Sequence, residues 1–325
     1  MTNMVTDLAV LHPDRNLAME LVRATEAAAI RAVPFLGKGN KNAADGAAVD
    51  AMRAFLGTVN FEGRVVIGEG EKDNAPMLFN GEIVGNGNGP LCDIAVDPID
   101  GTSLAASGRQ NALSVIAVAP RDSMLDVSSV FYMEKLVAGP EALGRLDIRL
   151  PLAENVRRLA KALSKPVDEV VVAVLDRPRH ESIISQIRAA GAGTKLLLDG
   201  DVAGGIQAAR YGTRVDMCVG IGGSPEGIVT ACAIKGLGGF IQGILRPKDE
   251  AEARAAARGG RLRLVGDGPA VVARGLDHLG LPTSSSPAAP GVKQPSIRLA
   301  VPCDLAALRT VNASRVRPRL WAAAA

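Results

Sequence analysis

From Asn16 to Ala32, Leu17, Leu21, Thr25, Ala28 and Ala29 recur at helical spacing with charged residues between them, which predicts an amphipathic helix closed by Pro34 and Gly37. A second helix is expected after Asp45, with Val49, Met52 and Phe55 on one stripe and an end near Gly57. The pattern then changes period. Two short apolar runs, Val65-Val66-Ile67 and Ile94-Ala95-Val96, read as strands that deliver carboxylates at their ends, in Gly68-Glu69-Gly70-Glu71 and in Asp97-Pro98. Leu113 to Ala119 reads as a further strand, followed by a loop and the apolar Val130-Phe131-Tyr132.

Past Leu150 and Pro151, strand, loop and helix alternate: Val170 to Leu175 then Glu181 to Ala190, Lys195 to Leu198 then Val202 to Arg210, Val215 to Val219 then Pro225 to Ile234. This alternation predicts an α/β fold, layered α/β/α/β, with sub-domains at 1–150 and 151–258 and a site in the cleft between them. Residues 259–325 depart from the pattern. Their periodicity is weak, Thr283 to Pro290 is rich in Ser, Pro and Ala, and arginines are scattered through them. They read as an atypical tail, either high-GC coding sequence in a shifted frame or a poorly ordered segment.

Composition narrows the class. A chain of 325 residues has room for two packed sub-domains, and its 47% apolar and 22% charged residues are globular values. Aromatics at 3% mean that the core is aliphatic. The net charge of +3, without a Lys/Arg run interleaved with aromatics, argues against nucleic acid and leaves room for a small anionic substrate. Cys92, Cys218, Cys232 and Cys303 are far apart and read as buried free thiols rather than as disulfides or metal ligands. No leader-like segment and no membrane-spanning apolar run is seen, so a soluble cytoplasmic protein with no membrane partner is expected.

The candidate chemistry centres on Asp97-Pro98-Ile99-Asp100-Gly101-Thr102. Two carboxylates three positions apart, on what reads as a tight turn, offer hard oxygen ligands suited to Mg²⁺ or Mn²⁺. The Gly-Thr-Ser that follows opens a helix whose N–H groups would receive a phosphate, with the Thr102 hydroxyl on the attacking water. Of Glu69 and Glu71, at most one reaches a shared metal; a solvated acidic turn explains the pair equally well. Asp45, as a lone Asp ahead of Gly46, reads first as a helix N-cap. In Gly220-Ile221-Gly222-Gly223-Ser224-Pro225-Glu226-Gly227, Ser224 and Pro225 fit N-cap and first helical positions, and Glu226 is either a dipole-compensating acid or a metal ligand.

Arg177 and Arg179 suit a second phosphate, and Asp199 and Asp201 suit sugar hydroxyls, although each taken singly fits a surface or turn residue. His180 has no Ser or Cys context and reads as a helix start. Gly85-Asn86-Gly87-Asn88-Gly89 lacks dinucleotide spacing and reads as a mobile turn.

Taken together with Lys41-Asn42-Ala43-Ala44-Asp45-Gly46, Tyr132-Met133-Glu134-Lys135, Arg177-Pro178-Arg179-His180 and Asp199-Gly200-Asp201-Val202-Ala203, these strings resemble the class II fructose-1,6-bisphosphatases of the lithium-sensitive phosphatase superfamily, over about residues 15–250. The resemblance implies metal ligation by Asp45, Glu69, Asp97, Asp100 and Glu226, with Thr102, Asp45 and Glu69 catalytic. It implies a fructose bisphosphate held by Asp100, Gly101, Thr102, Tyr132, Arg177, Arg179, Asp199 and Asp201. It further implies Mg²⁺ or Mn²⁺ as cofactor, hydrolysis of the 1-phosphate in gluconeogenesis, a homo-oligomer and sensitivity to lithium. On this view 1–150 is the metal-binding phosphatase sub-domain and 151–258 the substrate-binding one. Asp100 stands where many members carry Glu, Arg177 where many carry Lys, and the tail lacks the family's Ala-Thr-Gly segment. The rival readings are a sedoheptulose-1,7-bisphosphatase, an inositol-monophosphatase-like enzyme, an inactive sugar-phosphate-binding relative with a damaged C-terminus, and a nucleotide-binding module built on the glycine runs.

Overall fold

Two alanine-rich helices, α1 (Leu17–Ala32) and α2 (Lys41–Leu56), pack side by side. Ala24, Ala28, Ala29, Ala44 and Ala48 are all fully buried, and their small side chains let the two helices approach closely. Asn40 caps α2, its side chain accepting the Ala43 N–H at 3.0 Å. The helix therefore starts ahead of the expected position, and Asp45 lies inside its second turn rather than at its N-cap. The computed structural model describes residues 17–69, 71–72, 75–76, 78–258, 298–299 and 303–304.

Next come β1 (Glu62–Ile67), the short pair β2 (Glu71–Lys72) and β3 (Ala75–Pro76), β4 (Ile83–Val84), β5 (Leu91–Asp100), the one-turn helix α3 (Thr102–Ala106) and β6 (Leu113–Pro120). Neighbouring strands run β6, β5, β1, β4, with β5 parallel to β1 and the other two pairings antiparallel. Alternation separates the faces: Val65, Ile94, Val96, Ile116 and Val118 pack toward α1 and α2, whereas Val66, Ala95, Val115, Ala117 and Ala119 join the next layer. The glycine and asparagine run after β4 is tied back to the loop before β1. Asn86 donates from its backbone N–H to Val59 O at 3.0 Å and from Nδ2 to Asn60 Oδ1 at 2.6 Å.

A second sheet begins at β7 (Tyr132–Ala138), ahead of the boundary expected near residue 150. It is completed by α4 (Leu152–Leu163), β8 (Val171–Leu175), α5 (Glu181–Ala189), β9 (Gly193–Leu197), α6 (Val202–Ala209), β10 (Met217–Gly223), α7 (Ser224–Gly236), β11 (Phe240–Leu245) and α8 (Glu250–Arg258). Its strand order is β11, β7, β10, β8, β9, with β10, β8 and β9 parallel and β7 antiparallel to both its neighbours.

Val202, Ile206, Ile228 and Val229 of α6 and α7 pack with Ala95, Val115 and Ala117 of the first sheet, so these helices lie between the sheets. Val156, Leu159, Ile184 and Ile187 of α4 and α5 pack on Leu136, Val172 and Val174 at the far side of the second sheet. The fold is the expected layered α/β, with α4 and α5 as a fifth layer. Burying side chains of this size contributes roughly 1.5–3 kcal/mol apiece, so the layer of α6 and α7 binds the two sheets into one body. The tail expected at 259–325 lies outside the described residues, apart from β12 (Arg298–Leu299) and β13 (Cys303–Asp304), which pair antiparallel with β6.

Candidate active site

The acidic centre is made by an irregularity in β5. Side chains three positions apart on a regular strand point to opposite faces, yet Asp97 and Asp100 line the same cavity. Opposite Asp97 and Asp100 on β6 stand Val115 and Leu113, so β5 carries one extra residue there. This bulge turns the second carboxylate to the side of the first. The expected tight turn is thus a bulged strand. Gly101, at φ +84, then breaks the strand in the left-handed region that only glycine enters at no cost, and Thr102 begins α3.

Around that centre, a cavity of about 480 Å³ gathers residues from both sheets. Asp45 from α2, Glu69 from the end of β1, Asp97, Asp100, Gly101, Thr102, Tyr132 from β7, Arg177 and Arg179 after β8, Asp199 and Asp201 after β9, and Glu226 in the first turn of α7 all line it. Every residue that the resemblance assigned to the site lines the cavity, and of Glu69 and Glu71 it is Glu69 that does so. Two local expectations change. Gly223, not Ser224, holds the cap position of α7, and Ser224 and Pro225 are its first two residues. The Ser103 N–H, expected to face a phosphate, donates instead to Asp199 Oδ2 at 3.0 Å, while Lys41 Nζ donates to Ser103 Oγ at 2.6 Å. The first of these bonds joins the two halves across the cleft, and the second ties α2 to α3.

Electrostatics divide the cavity. Burial, and then the charges of Asp100, Glu69, Glu226 and Asp45, push the Asp97 carboxyl well above the usual range. Burial, Asp201 and Glu226 do the same to Asp100, against the pull of Lys135, and burial raises Glu226. Glu226 Oε2 is buried with no hydrogen-bond partner. On the other side Arg177 donates to Asp199 Oδ1 and to Leu198 O, both at 2.7 Å. Arg179 donates from Nε to Ile221 O at 3.0 Å, and its Cζ lies 5.7 Å from the Tyr132 ring centroid.

Two residues were missed from the sequence. Lys135 is buried, 2.5 Å from Asp201 Oδ2 and 3.3 Å from Gly223 O. Burial alone would favour its neutral amine, but Asp201 and Glu226 hold its pKa above the ordinary value. A signal existed: Met133, Lys135 and Val137 alternate along β7, which places the lysine on a buried face. The other is His180, which is fully buried and joins two strands instead of merely starting a helix. Cys92, Cys218 and Cys232 are buried free thiols, as expected, and burial pushes Cys218 and Cys232 up to about 12.

The chain matches the family model of bacterial fructose-1,6-bisphosphatase, glpX-encoded, over residues 15–264. The chain belongs to the class II fructose-1,6-bisphosphatase family. It is 49% identical over 231 residues to the fructose-1,6-bisphosphatase 1 class 2 of Escherichia coli (strain K12), covering 71% of this chain and 68% of that one. The class 2 fructose-1,6-bisphosphatase of Shigella flexneri matches to the same extent. As a class II fructose-1,6-bisphosphatase it is a phosphoric monoester hydrolase of carbohydrate metabolism, and its reaction depends on metal. No helix among the described residues is long and apolar enough to cross a membrane.

The acids suit a hard divalent cation. All are carboxylates, with no His or Cys among the cavity-lining residues, and the unpartnered Glu226 oxygen and the mutually raised carboxyls show negative charge in excess of its protein counter-ions. Among the described residues, no three acidic, His or Cys side chains already converge as a metal cage. Carboxylates without a counter-charge repel one another, so the donors fit the ion in kind and would rotate onto it.

Proposed function

We propose that this cavity hydrolyses the 1-phosphate of fructose 1,6-bisphosphate, giving fructose 6-phosphate and phosphate. The observation that carries the reading is the pairing, in one cavity, of a buried acidic centre with two anchored arginines. Asp45, Glu69, Asp97, Asp100 and Glu226 are the residues assigned to hold Mg²⁺ or Mn²⁺. The bound metal would neutralise phosphate charge and lower the pKa of the attacking water.

The protein's own groups do the rest. The Thr102 hydroxyl, set at the head of α3, orients the water. Asp199 and Asp201, each held by a cation, are placed to accept hydrogen bonds from sugar hydroxyls. The terminal guanidinium nitrogens of Arg179 meet no protein acceptor among the described residues, and the group is steadied by Ile221 O and Tyr132, so it can receive the 6-phosphate without reordering. Arg177 supplies a second fixed positive charge beside it. Binding the far phosphate in this way directs the near one to the acids.

The same reading takes the enzyme as a cytoplasmic homo-oligomer. The buried free thiols support the first part, and the exposed Leu196 and Leu198 of edge strand β9 and its end support the second. The test is phosphate release from fructose 1,6-bisphosphate with Mg²⁺ or Mn²⁺. EDTA and Thr102→Ala should each abolish it; turnover that survives both would overturn the reading.

A further inference from the structure

Strands β8 and β10 pair only at Met217 with Val172 and Cys218 with Ala173. Beyond these rungs they part, toward the end where the cavity opens, while β10 stays paired to β7 as far as Gly223 and β8 to β9 as far as Leu175. Such a parting at the carboxyl ends of parallel strands makes a ligand crevice and leaves ladder groups without partners. His180 fills the gap. Its Nδ1 lies 2.8 Å from Leu175 O, and its Nε2 accepts the Ile221 N–H at 2.8 Å.

A carbonyl only accepts and an amide N–H only donates, so one neutral tautomer satisfies both, with the proton on Nδ1. Burial favours that neutral form by lowering the imidazole pKa. The ring also packs on Gly220, at φ +138, where an added Cβ would meet the imidazole at 3.1 Å. Ile221 is then held at both polar groups by consecutive side chains, its N–H by His180 and its C=O by Arg179. The wedge that holds the strands apart therefore also sets where Arg177 and Arg179 stand relative to the turn leading to Glu226.

We propose that His180 is a positioning residue for substrate: by replacing the missing rungs between β8 and β10 it fixes the arginine pair at the spacing that favours a bisphosphate over a monophosphate. This rests on the reading above that the arginines grip the remote phosphate. The test compares His180→Phe, which keeps a ring but makes no bridge, with His180→Gln, which keeps an acceptor and a donor, using fructose 1,6-bisphosphate and p-nitrophenyl phosphate as substrates. His180→Phe should raise KM for the bisphosphate about tenfold while kcat, and kcat/KM for p-nitrophenyl phosphate, stay within about twofold. His180→Gln should recover most of that loss.

Equal losses on both substrates, or a lowered Tm with unchanged kinetics below it, would overturn the proposal. If His180→Phe does not fold, His180→Ala takes its place on the same criteria: a rise in KM confined to the bisphosphate supports the bridge, and losses equal on both substrates overturn it. Arg179→Ala is run beside them. Selective loss of bisphosphate there, with no selective loss in the His180 variants, rejects the positioning role alone; no selectivity in Arg179→Ala rejects the clamp and the proposal with it.

Discussion

Replacing Lys135 by Met removes the only buried lysine or arginine among the described residues and leaves the acids around it in place. At 2.5 Å from Asp201 Oδ2, and at an effective dielectric of about 20, the pair attracts by roughly 7 kcal/mol. Desolvation of both ions offsets part of this, and breaking a buried pair by deleting one partner costs about 3–5 kcal/mol. The expected loss for the metal-free enzyme at pH 7 is of that order, measured by urea unfolding followed by circular dichroism.

Acidification should reduce it. Asp97, Asp100 and Glu226 have raised pKa values in the folded state, so the native protein binds protons more tightly than the unfolded chain. Their unfavourable contribution is absent below the unfolded carboxylate range and grows as pH rises toward the folded values. Lys135 opposes that rise for Asp100 and Glu226, so its removal steepens the dependence. The cost of Lys135→Met should therefore shrink between pH 7 and pH 5. A cost below about 1 kcal/mol at pH 7, or one equal at both pH values, would refute the reasoning.

Three further outcomes are expected. Asp97→Asn should raise the melting temperature of the metal-free enzyme, because a carboxylate opposed by burial and by four neighbouring acids becomes neutral, while phosphate release is lost; a fall in melting temperature would contradict this. Gly101→Ala should cost roughly 1–2 kcal/mol for its left-handed backbone and should lower kcat by shifting Thr102, which denaturation and initial rates would show. Saturation with Mg²⁺ or Mn²⁺, at about 100 times its dissociation constant, should stabilise the wild type by roughly 2.7 kcal/mol and Asp97→Asn far less, read by calorimetry.

Much of the site was legible because its pieces are local strings. Apart from Asp45 on α2, each acid, arginine and glycine turn sits within a few residues of a strand end, and alternation or helical spacing locates those ends. Asp45 was misplaced as a cap because an Asp before Gly satisfies the local rule, although Asn40 satisfies it earlier in the chain and makes the bond. Lys135 was overlooked because a charged residue in a strand usually faces water, and its acidic partners come from other elements. His180 carries no local mark of its bridge at all: one partner is five residues away and the other 41.

The amino-acid order alone determined most of the longer strands and helices, the layered α/β class and the residues that bear the chemistry, because periodicity and side-chain type are properties of short segments; it left β4 and β11 unread. The tertiary structure decided the rest. It showed the bulge that turns Asp97 and Asp100 to one side, the fifth layer, and the bonds from Asp199 to Ser103 and from His180 to Ile221. These depend on how strands from distant parts of the chain lie beside one another, and both partners of a through-space bond are named only when the chain has folded.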